Sequence, residues 1–444
     1  MLGAQLSLIW VLPFAGLLLS IALFPVLRGA FWHRHHGKVA AFWALAFLIP
    51  FAALQGIAPA WGELIHVAAD EYVPFILLLL ALYTVSGGIW LSGPFGGTPL
   101  RNTATLAAGM VLASFAGTTG ASVLLIRPLI ETNRERSHNV HVFVFFILLV
   151  GNIGGALTPL GDPPLFLGFL LGVHFFWPIR NLLLPTAALS GILLFAFFLI
   201  DSYHARSEDK DHPSRRRPRW HIAGAWNFLL LAVIVGAVLV SGVWQPGIEV
   251  PVAGAKVPLQ SLARDGILVL VAIVSFVVTP KAVHKANEFA WFPILEVAKL
   301  FAGLFVTIIP AIAILKAGSH GALGALIHLT SDAQGQPIES AYFWLTGGLS
   351  SILDNAPTYL IFFNMAGGDA GHLMGPLAGT LVAISAGAVF MGANTYLGNA
   401  PNFIVKSICE HRGVKMPSFF GYMLWPAVFL LPLFLAGSFV FFRL

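Results

Sequence analysis

The chain has 444 residues, of which 58% are hydrophobic and 10% charged, with a formal net charge of +5 and a mean hydropathy of +0.85. This composition excludes a soluble globular protein and points to a polytopic membrane protein whose first partner is the lipid bilayer. The small positive charge does not suggest nucleic acid, and the single cysteine, Cys409, excludes an internal disulfide and a Cys-cluster metal site.

The first apolar run, about residues 6–27, has no basic segment ahead of it and does not read as a cleavable signal. It ends at a basic turn with Arg28, His33, Arg34 and Lys38. Here His33, His35 and His36 lack an acidic or Cys partner, so they read as interfacial rather than metal-binding. A second run, 39–59, meets an acidic turn with Glu63, Asp70 and Glu71; a third spans 72–90, before a Gly/Pro-rich loop at 92–99. Residues 103–126 are long enough for one crossing, but Gly117, Thr118, Thr119 and Gly120 make a poor helix at their centre. Positive charge flanks both ends (Arg101; Arg127, Arg134 and Arg136), which predicts a re-entrant hairpin; a single kinked span is the alternative. Residues 140–154 cross, break at 158–164 and continue over 165–177, and 182–200 cross back. A basic segment at 202–221, with Arg206, Lys210, Arg215, Arg216, Arg217 and Arg219, reads as a cytoplasmic linker between halves at 1–201 and 222–444.

The second half opens with a span at 222–243, a polar extracytoplasmic loop at 245–265, and a return at 266–278 to Lys281, His284 and Lys285. Residues 292–315 cross out, with Glu296 and Lys299 spaced as a local i,i+3 pair. A second hairpin, 340–366, is broken around Asp354, and its flanks at 331–339 and 367–375 carry no Lys or Arg. Residues 377–398 cross inward to Lys406, Arg412 and Lys415, and 419–442 form the last span. Each half thus has five crossings and one hairpin. An odd number inverts the second half, so the fold expected is all-α: two inverted repeats with broken helices at the midplane, both termini outside, in the cell (inner) membrane.

Two stretches organise this pattern. Gly392 to Asn402 carries three Asn, a Thr, two Gly and a Pro inside an apolar span. Irregular backbone survives at that depth only where protein buries it or it lines a wet cavity. It echoes an earlier stretch at Gly155/Gly392, Thr158/Thr395, Leu160/Leu397, Gly161/Gly398 and Pro164/Pro401, always 237 positions apart, and the two hairpin centres, at Ser114 and Ser351, keep the same spacing. Paired breaks of this kind point to a transporter with its site at the repeat interface.

Asp162 and Asp354 lie in the broken segments. An ionised Asp at bilayer depth costs several kcal/mol unless a cation, a partner or water compensates it, so protons and cations compete for it. That competition is the basis of cation/proton exchange, and places a Na⁺ site at Asp162 and Asp354. Ser114, Thr118, Asn152, Thr158, Ser351, Asn355, Thr358, Asn394, Thr395 and Asn399 supply oxygens to complete a shell. The plainer readings are that Ser and Thr satisfy their own backbone, that Asn152 bonds between helices, and that both Asp residues cap half-helices. Half-helix N-termini at the same breaks equally suit an anion.

These motifs resemble the ion transporter superfamily, which includes NhaD-type sodium:proton antiporters, arsenite-pump membrane subunits and citrate or dicarboxylate transporters. The resemblance rests on Gly155…Thr158-Pro159-Leu160-Gly161-Asp162-Pro163-Pro164, Ser351…Asp354-Asn355-Ala356-Pro357-Thr358 and Asn394-Thr395…Gly398-Asn399-Ala400-Pro401-Asn402, and covers essentially the whole chain. It is most similar to a citrate transporter family often labelled sodium:proton antiporters. The resemblance implies five helices and a hairpin per repeat, hairpin tips meeting the broken helices, elevator-like alternating access and a homodimer. By motif it implies a hairpin-tip site of Asp354, Asn355 and Thr358, with Asp162 and Asn399 at the two breaks. The Ser-Asn-Thr tip expected of dicarboxylate carriers is absent from both hairpins, whereas the Asp-Asn and Gly-Asp pairs follow the NhaD-like pattern.

The expected function is secondary transport exchanging Na⁺ or Li⁺ for protons, with no enzyme activity and no cofactor beyond the coupling ion. A cation-coupled citrate or other carboxylate carrier is the alternative. A passive channel and an intramembrane aspartyl protease are more remote, since the protease signature Gly-x-Gly-Asp is replaced by Pro159-Leu160-Gly161-Asp162.

Overall fold

In the computed structural model, residues 6–206 and 220–442 are described. Most of the expected basic linker, with Lys210, Arg215, Arg216, Arg217 and Arg219, lies outside them. Its two ends are regular structure: a helix runs to Arg206, and His221–Ala223 (β2) pairs antiparallel with Trp90–Ser92 (β1).

The first half opens with α1 (Leu12–Leu27) and α2 (Gly29–Gln55). The expected basic turn shrinks to Arg28, whose extended φ of −145° separates the two helices; His33, Arg34 and Lys38 are helical, since a helix satisfies backbone that a loop at this depth would leave unpaired. The expected acidic turn is helical too. Helices α3 (Ile57–Val67) and α4 (Val73–Gly87) are joined by a π-turn at Ala68–Tyr72 that holds Asp70 and Glu71. A π-turn absorbs one extra residue without breaking the rod; here Tyr72 Oη donates to Ala298 O at 3.0 Å.

Next come α5 (Pro99–Ala116) and α6 (Thr118–Asn133). They turn back on each other at Gly117, whose φ of +75° suits glycine alone. Reciprocal amide bonds of 3.0 and 2.9 Å between Asn102 and Asn133 tie the open ends together. This is a hairpin, longer than the expected 103–126, and not a single kinked span. Helix α7 (Val140–Leu149) follows, then a 3-10 turn at Ile153–Leu157, an extended link, and α8 (Pro163–Leu170). Helix α8 stops seven residues before the expected 177, and Trp177 opens α9 (Trp177–Arg206).

In the second half, α10 (Trp226–Val243) leads to a small β-hairpin, Glu249–Val252 (β3) with Ala255–Pro258 (β4). Helix α11 (Leu259–Val278) then begins inside the expected 245–265 loop, directly after Pro258, whose extended ψ of 137° keeps it outside the helix. Helices α12 (Lys281–Ala286), α13 (Phe292–Thr307), α14 (Ile309–Lys316) and the short α15 (Gly324–Leu329) follow. Helices α16 (Glu339–Ser350) and α17 (Asn355–Met365) form the second hairpin, with Tyr342 facing Phe362 at 6.2 Å across it. After α18 (Ala370–Met374) come α19 (Ala378–Met391), a 3-10 turn at Gly392–Asn394, α20 (Ala400–His411), α21 (Phe419–Phe429) and α22 (Leu431–Phe441).

Among the described residues eight helical segments are long and apolar enough to cross a membrane, and the α13–α14 pair, bent by 41°, makes a ninth. The protein is a multi-pass α-helical membrane protein. The segment Val140–Leu157 stands apart: 89% of it is buried, against 17–33% of the other seven. Those seven turn side chains such as Leu184, Phe195, Leu270, Val277, Leu424 and Phe439 outward, which a bilayer would cover.

The buried apolar side chains form two main clusters. One joins both hairpins with α7, α9, α19 and α20 to α22. The other joins α1, α2, α4, α10, α11, α13 and α14. The hairpin tips (Ala116, Leu353, Ala356) and α8 (Phe166, Phe169) belong to the second cluster, so the junction of the two runs past the breaks.

Candidate functional site

The two breaks share one backbone form. Each 3-10 turn ends in an extended Thr, Thr158 (φ −141°, ψ 161°) or Thr395 (φ −140°, ψ 168°). An extended residue then precedes each following helix, Asp162 (φ −143°, ψ 144°) or Asn399 (φ −154°, ψ 142°). Proline early in α8 and α20 fits because the first helical N–H groups have no intrahelical partner. Gly161 and Gly398 admit no side chain, since an added Cβ would lie 2.2 Å from Gly155 O and 2.5 Å from Gly392 O.

Each break is stitched to a hairpin by matching hydrogen bonds. Thr158 Oγ1 donates to Ser114 O and Thr395 Oγ1 to Ser351 O at 2.6 Å. Ser114 Oγ donates to Gly154 O at 2.6 Å and Ser351 Oγ to Met391 O at 3.1 Å. Leu160 N donates to Thr158 Oγ1 at 3.2 Å and Leu397 N to Thr395 Oγ1 at 3.0 Å. Each bond has its counterpart 237 positions on, the spacing that separates Asp162 from Asn399.

At the centre is Asp162, 1% exposed. Its Oδ1 accepts from Thr118 Oγ1 at 2.9 Å and from Asn399 Nδ2 at 3.0 Å, and its Oδ2 from Asn355 Nδ2 at 2.5 Å. Four segments therefore meet on one carboxylate: both hairpin tips and both breaks. Thr118 and Asn355 begin α6 and α17, while Asp162 and Asn399 immediately precede α8 and α20. Four helix N-termini thus converge on the carboxylate, and their partial positive charge offsets its burial. All three side-chain donors are neutral, and a charged group compensated only by dipoles is free to exchange a proton for a cation. Asn355 Oδ1 is buried without a donor, an orphan acceptor of the kind a bound cation satisfies.

The other expected residues divide. Asp354 does cap its helix, accepting from Ala356 N at 3.1 Å; Asp162, although at the equivalent cap position of α8, makes no cap bond. Thr358 Oγ1 donates to Asp354 O at 3.0 Å, its own helix. Ser114, Thr158, Ser351 and Thr395 serve the stitching above, and Asn394 Nδ2 donates to Ser351 Oγ at 2.9 Å. Asn152 stands one step behind the centre: its Nδ2 donates to Asn402 Oδ1 at 2.6 Å, and its Oδ1 accepts from Asn399 Nδ2 at 3.3 Å.

A cavity of about 320 Å³ reaches Asp162. Its walls come from α1, α2, α4 and α13 on one side and from the first hairpin tip, the first break and α20 on the other. Its carboxylates are Asp162, Asp354 and Glu296; its other titratable lining is His33, Tyr83 and Tyr396, and among the described residues no Lys or Arg lines it. The expected Glu296–Lys299 pair does not form among the described residues. Lys299 lies instead along α2, where a Cβ on Gly37 would sit 3.0 Å from its Cδ.

The sequence reading missed three features. Asn402 Nδ2 donates to Gly392 O and Thr395 O, both at 2.8 Å, closing the second break; its place in the break stretch was the available signal. Asp201, the last residue of the expected first half, is fully buried and bonds Arg136 Nη1 at 2.6 Å, His141 Nε2 at 2.8 Å and Asn102 Nδ2 at 2.8 Å. Nothing local marks that network, whose members span 99 positions. The third is the place of Glu296 in the cavity wall.

Residues 3–442 match the family model CitMHS_2, described as "Putative citrate transport". The chain belongs to that family. No curated protein matches it significantly. Family and spans together make it a membrane transporter.

Proposed function

We propose that this transporter exchanges Na⁺ or Li⁺ for protons by alternating access, with Asp162 as the coupling carboxylate. The observation that carries this reading is the lining of the cavity that reaches Asp162, which among the described residues presents three carboxylates and no Lys or Arg. A cation is drawn into such a space, and a multiply charged carboxylate is opposed by it. Thr118 places its hydroxyl oxygen on Asp162, the side-chain amides of Asn355 and Asn399 that touch it each carry an oxygen as well, and Asp354 adds a second carboxylate at the second hairpin tip. In the exchange cycle Asp162 binds either the cation or the proton, and the two-cluster architecture divides into a part that carries the site and a part that supports it.

The same reading includes two inverted repeats at 1–201 and 222–444. The hydrogen bonds recurring 237 positions apart support it, as does the direct contact of the equivalent residues Asp162 and Asn399. An elevator-like movement of the hairpin cluster against the other, a homodimer, an inner-membrane location and outside termini complete the proposal. A carboxylate carrier is the second reading, favoured by the four convergent helix N-termini and by the family's description. An aspartyl protease gains no support, since no hydrogen bond joins Asp162 to Asp354, and Asp354 caps α17.

The test uses purified protein in liposomes with an imposed acidic interior and a pH-sensitive dye. Na⁺, Li⁺, K⁺ and then citrate are added outside in turn. Dissipation by Na⁺ or Li⁺, lost in Asp162→Asn, is the expected result. No response to cations, with labelled citrate accumulating under a Na⁺ or proton gradient, replaces the exchange reading by the carboxylate one.

A further inference from the structure

We propose that Glu296 is a cation-collecting residue in the access cavity, a weak subsite for a hydrated monovalent cation passed before Asp162 is reached. The inference rests on the exchange reading above and adds a selectivity residue to it. Glu296 lies one helical turn beyond Phe292, at the start of α13, in the wall of the cavity that ends at Asp162. It makes no hydrogen bond or ion pair with any described residue, although a Lys stands three positions away on the same helix.

Several basic groups on or next to the elements that line the cavity already have partners. Arg412 Nη2 lies 3.0 Å from Glu288 Oε1 and Arg127 Nη2 4.0 Å from its Oε2. Lys406 Nζ lies 2.7 Å from Glu410 Oε2. Lys299 packs along α2. The cavity wall here offers a carboxylate without an ion-pair partner among the described residues. His33, which α2 contributes to the lining, packs against Phe292 with ring centroids 5.6 Å apart. The remaining wall is apolar, with Phe75, Leu78, Leu82, Leu300 and Phe301. Low-dielectric walls focus the field of a single charge and raise the local concentration of its counter-ion.

The experiment is the proteoliposome exchange assay run against Na⁺ concentration at low and high ionic strength, with choline chloride as the inert salt. Glu296→Gln is expected to raise the KM for Na⁺ roughly tenfold at low ionic strength with kcat unchanged. The gap should close as salt shortens the Debye length toward about 3 Å at 1 M. Glu296→Asp is expected to keep the wild-type KM, which separates loss of charge from loss of packing. Wild-type exchange with an unchanged KM in Glu296→Gln, or a KM shift indifferent to salt, overturns this inference and leaves the exchange reading standing. A wild-type protein that answers no cation removes both.

Discussion

Two buried aspartates in this protein have opposite surroundings. Asp201 is sealed at the base of the first hairpin and is paired with Arg136 and hydrogen-bonded to His141 and Asn102. Asp162 is buried as deeply, but its three side-chain donors are neutral and it lines a cavity. A carboxylate locked to a guanidinium has its charge fixed, and removing it strands the partner. A carboxylate held by amides, a hydroxyl and helix ends keeps the choice between a proton and a cation. Under the proposed function, the contrast separates a structural carboxylate from a working one by their partners alone.

The largest effect expected is on exchange. Asp162→Asn should reduce Na⁺- or Li⁺-driven dissipation to the background of empty liposomes while the protein still purifies as a folded species. The double variant Asp162→Asn with Asn399→Asp, which moves the carboxylate to the equivalent position of the second break, sharpens this point. Recovery of measurable exchange would show that the two positions share one site. Asp201→Ala should do the reverse, costing about 3–5 kcal/mol of stability by leaving Arg136 and His141 without their carboxylate. Thermal unfolding in detergent reads it, and a variant as stable as wild type breaks the comparison.

A smaller effect tests the likeness of the two breaks. Gly161→Ala and Gly398→Ala each press a Cβ onto a carbonyl oxygen, at 2.2 and 2.5 Å, and should each destabilise by about 1–3 kcal/mol. Similar losses in the two are expected; a silent Gly398→Ala would mean that the second break has slack the first lacks. Least is expected of Glu288→Gln. Its pairs with Arg412 and Arg127 bridge the two apolar clusters, but Glu288 is 49% exposed, so the loss should stay below about 1 kcal/mol and vanish in high salt. A larger, salt-resistant loss in the same unfolding assay would identify that pair as a structural clamp.

The sequence by itself determined the class of protein and the location of its two central breaks. An apolar chain with few charges has no stable form outside a bilayer, and the dense Gly, Pro and Asn of 155–164 and 392–402 interrupt the helical ladder, whereas single prolines such as Pro50 and Pro185 stay inside helices. The spacing of 237 positions was legible for the same reason, because Thr158 and Thr395, or Gly161 and Gly398, answer the same local backbone demand. Charge at the ends of 103–126 was enough to predict a hairpin. It was not enough to place the helix boundaries, since residues 29–38 and 68–72 extend helices despite their polar side chains.

Tertiary structure alone decided which carboxylate stands at the centre. Asp162 and Asp354 look alike as residues beside a break, and either is suited to cap a helix. Only packing brings Thr118, Asn355 and Asn399 to Asp162, across separations of 44, 193 and 237 positions, and leaves Asp354 on its own backbone. The same holds for Asp201, whose partners lie in α5, α7 and the link between α6 and α7, and for Glu296, which loses its neighbour Lys299 and gains the cavity. Local pattern reports where backbone cannot remain helical. What a side chain meets depends on elements distant in sequence, and that is settled when the helices pack.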